Sequence, residues 1–179
     1  MAERPTAQIM INRAVFAGLA LLLVFMQLLP LETVPGRWAA PDFLLACTLV
    51  WVSRRPDYLP VLVIALIFFL TDLLYQRPPG LWTALVLILT EVLRTRARSI
   101  RDIPLALEWG VVAIGILMIT LINRLALAIV MTQQAPLGLT LIQMVMTIAV
   151  YPVVLIVAHY AFGVTRPAPG QTNNFGHRL

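Results

Sequence analysis

Long apolar runs, separated by short breaks rich in arginine and proline, dominate this 179-residue sequence. A helix needs about 20 apolar residues to cross roughly 30 Å of hydrocarbon, and runs near that length recur along the chain. Six runs can each be counted as one span: residues 14–31, 38–52, 58–75, 81–93, 109–131 and 137–162. The sequence therefore predicts an all-α integral membrane protein, a compact bundle of six transmembrane helices.

The composition agrees with a lipid environment. Hydrophobic residues make up 60% of the chain and charged residues 12%, whereas a soluble domain averages about 45–50% and about 25%. So little polar surface cannot cover a water-soluble globule. We expect one membrane domain, residues 14–164, between a cytoplasmic N-terminal segment, 1–13, and a flexible, polar cytoplasmic tail, 165–179.

Two of the runs, 38–52 and 81–93, are short, extending roughly 22 Å and 20 Å at about 1.5 Å per residue. They are either buried helices sheltered by their neighbours or a re-entrant pair, which would leave four true spans. The first run has a further alternative, a cleaved signal peptide, which would leave five.

The arginines favour six spans. All thirteen basic residues are arginine, and six alternating spans with a cytoplasmic N-terminus put ten of them inside, two outside and Arg124 within a span. This positive-inside pattern predicts a multi-pass protein of the bacterial inner membrane with both termini cytoplasmic. The topology-determining arginines of the inner loops are Arg54, Arg55, Arg94, Arg96, Arg98 and Arg101.

Charged groups within the spans are candidates for a structural or binding role, because each costs about 2.5–3.5 kcal/mol at a helix centre. Asp42 and Asp72 lie towards the predicted outer face. Arg124 lies roughly 10 Å from the outer end of its helix, at a depth similar to that of Asp72. One hypothesis is an Asp72–Arg124 pair that joins the third span to the fifth. In the alternative, both side chains reach interfacial water and never meet.

Polar residues in the sixth run recur at spacings of three, four and four residues, which places them on one helix face. They are Thr140, Gln143, Thr147 and Tyr151. We expect hydrogen bonds between helices from this face, with a substrate pocket as the alternative. Pro152 follows and has no N–H, so it leaves the carbonyl of Ile148 without its helical donor and predicts a kink.

Motifs that carry catalytic chemistry are absent from the sequence. It has no GxxxxGK[ST] loop, no HExxH and no cysteine–histidine cluster. We therefore predict that the protein is not an enzyme and needs no metal or cofactor. The arginines form no basic face, which argues against nucleic acid as a partner. The arginine-rich loop after the fourth run either contacts membrane lipid headgroups or a partner, or only enforces topology.

Three short sequence motifs occur in the second, third and last apolar runs. Pro41-Asp42 followed by Phe-Leu-Leu opens the second run, Leu-Thr-Asp72 ends the third with Gly80 eight residues later, and Pro152 lies in the last run. Their order, the chain length, the six runs and the short second and fourth runs resemble the bacterial rod-shape-determining MreD family over nearly the whole chain.

The resemblance implies a non-enzymatic scaffold of the machinery that builds the lateral cell wall. It further implies contacts with MreC and, directly or through it, with RodA and its penicillin-binding transpeptidase, and indirectly with MreB filaments. The implied fold is similar to the substrate-binding subunits of energy-coupling-factor transporters. The sequence departs from the family at Gln76-Arg-Pro-Pro, where a loop rich in glycine and serine is usual.

A small-molecule binding subunit of a vitamin-type transporter is the alternative function. In that case the polar face of the sixth run, together with Asp42, Asp72 and Arg124, would line an outward-facing cavity. The short outer loops, almost free of polar residues, favour the scaffold over this alternative.

Overall fold

A computed structural model describes residues 4–29, 38–96, 104–132 and 134–162. These residues form six α-helices, a short 3-10 helix at Pro56–Tyr58 and no strand. The α-helices are α1 Arg4–Leu28, α2 Phe43–Arg54, α3 Val61–Leu74, α4 Leu81–Arg96, α5 Leu105–Ile129 and α6 Leu137–Phe162. The all-α prediction is confirmed for this part of the chain. The predicted tail, 165–179, and two of the predicted topology residues, Arg98 and Arg101, lie outside the described residues.

Three helices are long and apolar enough to cross a membrane: α1 over Ile9–Leu28, all of α5, and α6 over Leu137–Tyr160. The other three are shorter. With 12, 14 and 16 residues, α2, α3 and α4 extend roughly 18, 21 and 24 Å at about 1.5 Å per residue. By length and composition, the structure is therefore compatible with a membrane protein, and three of its helices could each cross a bilayer.

Several helix ends differ from the predicted runs. The first helix begins at Arg4, so the predicted N-terminal segment is helical from that residue. The second begins only at Phe43, because Asp42 caps it. The fifth begins four residues before the predicted start, directly after Pro104, whose fixed φ suits a helix entrance. The sixth has the predicted bounds.

The short helix α2 occupies the interior of the bundle. Every residue from 44 to 52 is buried, and α2 packs mainly on α6 and also on α4 and α1. From α1, Phe16 contacts Trp51 with 5.7 Å between ring centroids. A helix that is apolar on all sides is buried on all sides. The structure therefore shows α2 as a buried helix sheltered by its neighbours.

The three long helices, α1, α5 and α6, have apolar side chains exposed on the sides that face away from the bundle. Examples are Leu22 of α1, Ile114 and Leu121 of α5, and Val145 and Ile156 of α6, each at least half exposed. Soluble monomers rarely expose a contiguous apolar surface of this extent, so hydrocarbon is the environment that these faces fit.

Two helices end with a residue other than glycine in the left-handed region, Gln76 after α3 and Met131 after α5, both at φ 53°. In each case the last turn is closed by a backbone bond from the following residue, with Arg77 donating to the carbonyl of Asp72 at 3.0 Å. This is the Schellman arrangement, which usually has glycine at that position. Gln76, the first residue of the Gln76-Arg-Pro-Pro segment, therefore occupies a backbone position that favours glycine.

Candidate functional site

The polar residues predicted from the sequence gather at the two ends of the bundle. We call the end where α2 begins and α3 ends the outer end, following the predicted orientation, and the opposite end the inner end. The outer end contains a polar cavity, and the inner end contains a buried ion pair.

Asp72, fully buried in the last turn of α3, caps the start of α4. Its Oδ2 accepts three hydrogen bonds, from the N–H of Gly80 at 3.1 Å, the N–H of Thr83 at 3.1 Å and the hydroxyl of Thr83 at 2.7 Å. The first N–H groups of a helix have no partner within the helix, and a carboxylate also suits its positive end. Gly80, at φ 87°, adopts a conformation that other residues rarely take. Asp72 thus joins α3 to α4.

Arg124 binds the connection between α5 and α6. Its Nη1 donates to the carbonyl of Ala135 at 3.2 Å and to the hydroxyl of Thr140 at 2.8 Å, and the Gln134 side chain donates to the Arg124 carbonyl. Of the two hypotheses for Asp72 and Arg124, the pair is wrong, and the alternative is correct in that the two groups do not meet. Asp72 does not reach interfacial water either, because it is fully buried. The two groups lie at similar depths but do not meet, because each binds a nearer partner. Asp72 accepts from donors at the start of α4, and Arg124 donates to acceptors at and just before the start of α6.

Asp42 caps α2 and ties it to α6. Its Oδ1 accepts from the N–H of Leu45 at 2.9 Å, while its own N–H donates to the Thr147 hydroxyl at 2.9 Å. That hydroxyl donates in turn to the Gln143 carbonyl at 2.7 Å. Pro41 precedes Asp42 in the segment without regular secondary structure that leads into the helix. The Pro-Asp motif is thus a helix start fixed against the last helix.

The polar face of α6 makes mostly interhelical hydrogen bonds, as preferred from the sequence. Thr140 binds Arg124 and Thr147 binds Asp42. Gln143 is the exception: within the described residues its side chain makes no hydrogen bond, and it lines the outer cavity.

The outer cavity has a volume of about 360 Å³ and lies among the start of α2, the α3–α4 connection, α4, α5 and α6. Three charged residues line it, Asp42, Arg77 and Arg124. Its neutral polar residues are Tyr75, Gln76, Thr120, Asn123, Gln134, Thr140, Gln143 and Thr147. A cavity thus lies beside the polar face of α6, and Asp42 and Arg124 line it as the alternative function predicts. Asp72, which was also predicted to line such a cavity, is not among its lining residues.

At the inner end, a buried carboxylate joins three helices. Glu108 of α5, 2% exposed, pairs with Arg54 of α2 at 3.0 Å between Oε2 and Nη2. Its Oε1 accepts from the hydroxyl of Tyr151 of α6 at 3.2 Å. Sequence reasoning missed Glu108, since the predicted span began one residue after it. The sequence signal that could have identified it is a carboxylate directly before an apolar run, at the predicted inner end where most of the arginines lie.

Pro152 cannot donate a helical hydrogen bond to the Ile148 carbonyl, and this carbonyl accepts a hydrogen bond from another helix. The Ile148 carbonyl accepts from Nε1 of Trp109 at 2.9 Å, so the acceptor freed by the proline binds α5 instead. This fits the predicted loss of the helical bond at Ile148. The predicted kink stays a prediction.

Replacing Trp109 with phenylalanine should destabilise the protein by about 0.5–1.5 kcal/mol, the usual net value of one hydrogen bond. In a Pro152→Ala background the same replacement should cost less, because the new N–H can donate to Ile148. Unfolding free energies of the two single variants and the double variant, measured in detergent, form the required cycle. Equal costs in both backgrounds would mean that the indole bond does not depend on the proline.

The remaining inner arginines differ in their contacts. Arg94 donates to the Leu59 carbonyl at 2.6 Å and thereby holds the α2–α3 connection to the end of α4. Arg55 lies over the ring of Tyr58, 5.5 Å from its centroid, and Arg96 is exposed. Arg94 and Arg54 thus have packing partners in addition to their predicted role in topology.

Within the described ranges, no group of three or more histidine, cysteine, aspartate or glutamate residues could hold a metal ion. Comparisons with protein families, with curated proteins and with solved structures find no match to this chain.

Proposed function

We propose that this chain is a non-enzymatic scaffold of the bacterial cell-wall elongation complex, related to the MreD family. Its six helices would all cross the inner membrane, with both termini in the cytoplasm. Contacts within the membrane would capture the single span of MreC and, directly or through it, position RodA and its transpeptidase. The apolar outward faces of α1, α5 and α6 are the observation that carries this proposal.

The positions of the motif residues support the resemblance. Asp42 and the Asp72–Gly80 pair each organise a helix start at the outer end. Most polar groups of these helices bind within the chain, which leaves mainly apolar faces for partners at the depth of the lipid. In such a setting, association depends on van der Waals packing and a few interhelical hydrogen bonds.

The arrangement of arginines supports six passes. The Arg94–Leu59 and Arg54–Glu108 contacts bring together the end of α4, the α2–α3 connection and the start of α5. The helices α2, α3 and α4 thus alternate in direction between an arginine-rich end and the end with the cavity. Buried α2 can be shorter than the bilayer because protein, not lipid, surrounds it.

Crosslinking from α5 tests the partner contact. A photoreactive residue at Ile114 or Leu121, which are 64% and 50% exposed, should crosslink to MreC in growing cells. The matched control is the same residue at Leu49, which is fully buried in α2. We expect MreC adducts from at least one α5 position and none from the control. Adducts to lipid alone from both α5 positions and from exposed positions of α1 and α6 would contradict the scaffold.

A small-molecule binding subunit of a transporter is the second candidate, favoured by the outer cavity. Native mass spectrometry distinguishes the two functions. A vitamin-sized ligand together with a transporter ATPase in the purified complex would support transport, and co-purified MreC and synthase would support the scaffold.

A further inference from the structure

The charges that line the outer cavity do not balance. Arg77 and Arg124 face one acidic residue, Asp42. In the described part of the chain, neither arginine has a carboxylate within salt-bridge distance. The cavity lining therefore carries an excess of one positive charge when all three groups are ionised.

The contacts of the two guanidinium groups leave donors for a ligand. The guanidinium carbon of Arg77 lies over two rings, 5.3 Å from the centroid of Tyr75 and 5.7 Å from that of Trp82. Aromatic contacts hold a guanidinium in place without neutralising it or using its N–H groups. Arg124 uses one nitrogen, Nη1, for two neutral acceptors.

Neutral donors share the same cavity. The side-chain amides of Asn123 and Gln143 line it, and neither makes a hydrogen bond to another described residue. Amide and guanidinium groups together suit a ligand with several acceptor oxygens. The volume of about 360 Å³ lies near the lower end of the range for small-molecule sites, about 300–1,000 Å³.

We propose that the outer cavity binds an oxyanion, a phosphate or carboxylate group, through Arg77 and Arg124. The planar guanidinium fork matches such groups in geometry, and a single negative charge would neutralise the lining. Attraction between these charges is strong because apolar helices wall the cavity on several sides. The inference does not rest on the scaffold function. The oxyanion is either the headgroup of an anionic lipid or a soluble anion.

Thermal unfolding of the purified full-length protein in a neutral detergent tests the site, with inorganic phosphate as the probe at constant ionic strength. A ligand of the folded state raises the Tm in a saturable way. We expect this for the unmodified protein. Arg77→Gln and Arg124→Gln should each raise the half-saturating phosphate concentration by about tenfold or more, because each removes a charged donor. Arg96→Gln, exposed at the inner end, is the matched control and should change nothing.

Asp42→Asn should change the half-saturating phosphate concentration in the direction opposite to the arginine variants. Asparagine caps a helix about as well as aspartate, so α2 should keep its start. Removing the only negative charge of the lining should lower the half-saturating phosphate concentration by several-fold. Weaker phosphate binding in this variant would overturn the proposal, and so would an equal response of the unmodified protein and both arginine variants. This readout remains available if an arginine variant fails to fold.

The source of the oxyanion follows from the same measurement in nanodiscs. If phosphatidylglycerol abolishes the phosphate effect and phosphatidylcholine does not, an anionic headgroup occupies the cavity. If phosphate acts in both lipids, the ligand is a soluble anion. Either result supports the site, and absence of any phosphate effect in detergent and in both lipids overturns it.

Discussion

Replacing Glu108 with alanine should reduce the free energy of unfolding by about 3–5 kcal/mol, the usual cost of removing one partner of a buried ion pair. The change removes the Glu108 carboxylate from the mostly buried guanidinium of Arg54, and it removes an acceptor from the Tyr151 hydroxyl. It also loosens three helices at once, since these residues belong to α2, α5 and α6. Unfolding in mixed detergent micelles, followed by circular dichroism, measures the loss.

Two further variants separate charge from hydrogen bonding. Glu108→Gln keeps an acceptor for the Tyr151 hydroxyl, so its free energy of unfolding should fall by less than that of Glu108→Ala. Glu91→Gln is the control: this carboxylate, 51% exposed, lies 3.5 Å from Arg94, and exposed pairs contribute about 0–1 kcal/mol. If Glu108→Ala is no less stable than Glu91→Gln, the buried pair contributes nothing to stability.

The positions of the helices could be predicted, because hydrophobicity and helix-breaking residues act locally. Apolar runs located all six helices, and the bounds of α6 matched. Two of the ends that moved did so because of local chemistry: Asp42 caps α2, and Pro104 precedes α5. The shift at α5 also explains why Glu108 was overlooked, since it lies in the first turn of the helix and not outside it.

The pairing of polar groups could not be predicted, because depth along a helix does not say which neighbour a side chain faces. Asp72 and Arg124 lie at similar depths but bind different connections. The choice depends on helix packing, which the spacing of residues within one segment does not encode. By contrast, Pro152 alone was enough to predict that the Ile148 carbonyl would lack its helical donor. The donor that replaces it, Trp109, could not be predicted.

Replacing Asp72 with alanine should cost about 3 kcal/mol or more, because it removes a helix cap and leaves buried donors without an acceptor. Three hydrogen bonds end on one oxygen, Oδ2, and Thr83, which supplies two of the donors, is 6% exposed. Asp72→Asn should cost less, since an amide oxygen can replace Oδ2. The NH₂ group of the asparagine would then lie at the position of Oδ1, which has no hydrogen-bond partner among the described residues. The unfolding free energy in detergent gives the order of the two variants.

Thr83→Ser and Thr83→Val are the matched controls for this cap. Serine keeps the hydroxyl donor and should be nearly neutral, whereas valine removes one of the three bonds and should cost about 0.5–1.5 kcal/mol. If the proposed scaffold function is correct and the carboxylate acts by holding α3 to α4, stability and rod shape should fall together in the Asp72 variants. If Asp72→Ala is as stable as the unmodified protein yet fails to support rod shape, the carboxylate contacts a partner and the α4 cap is dispensable.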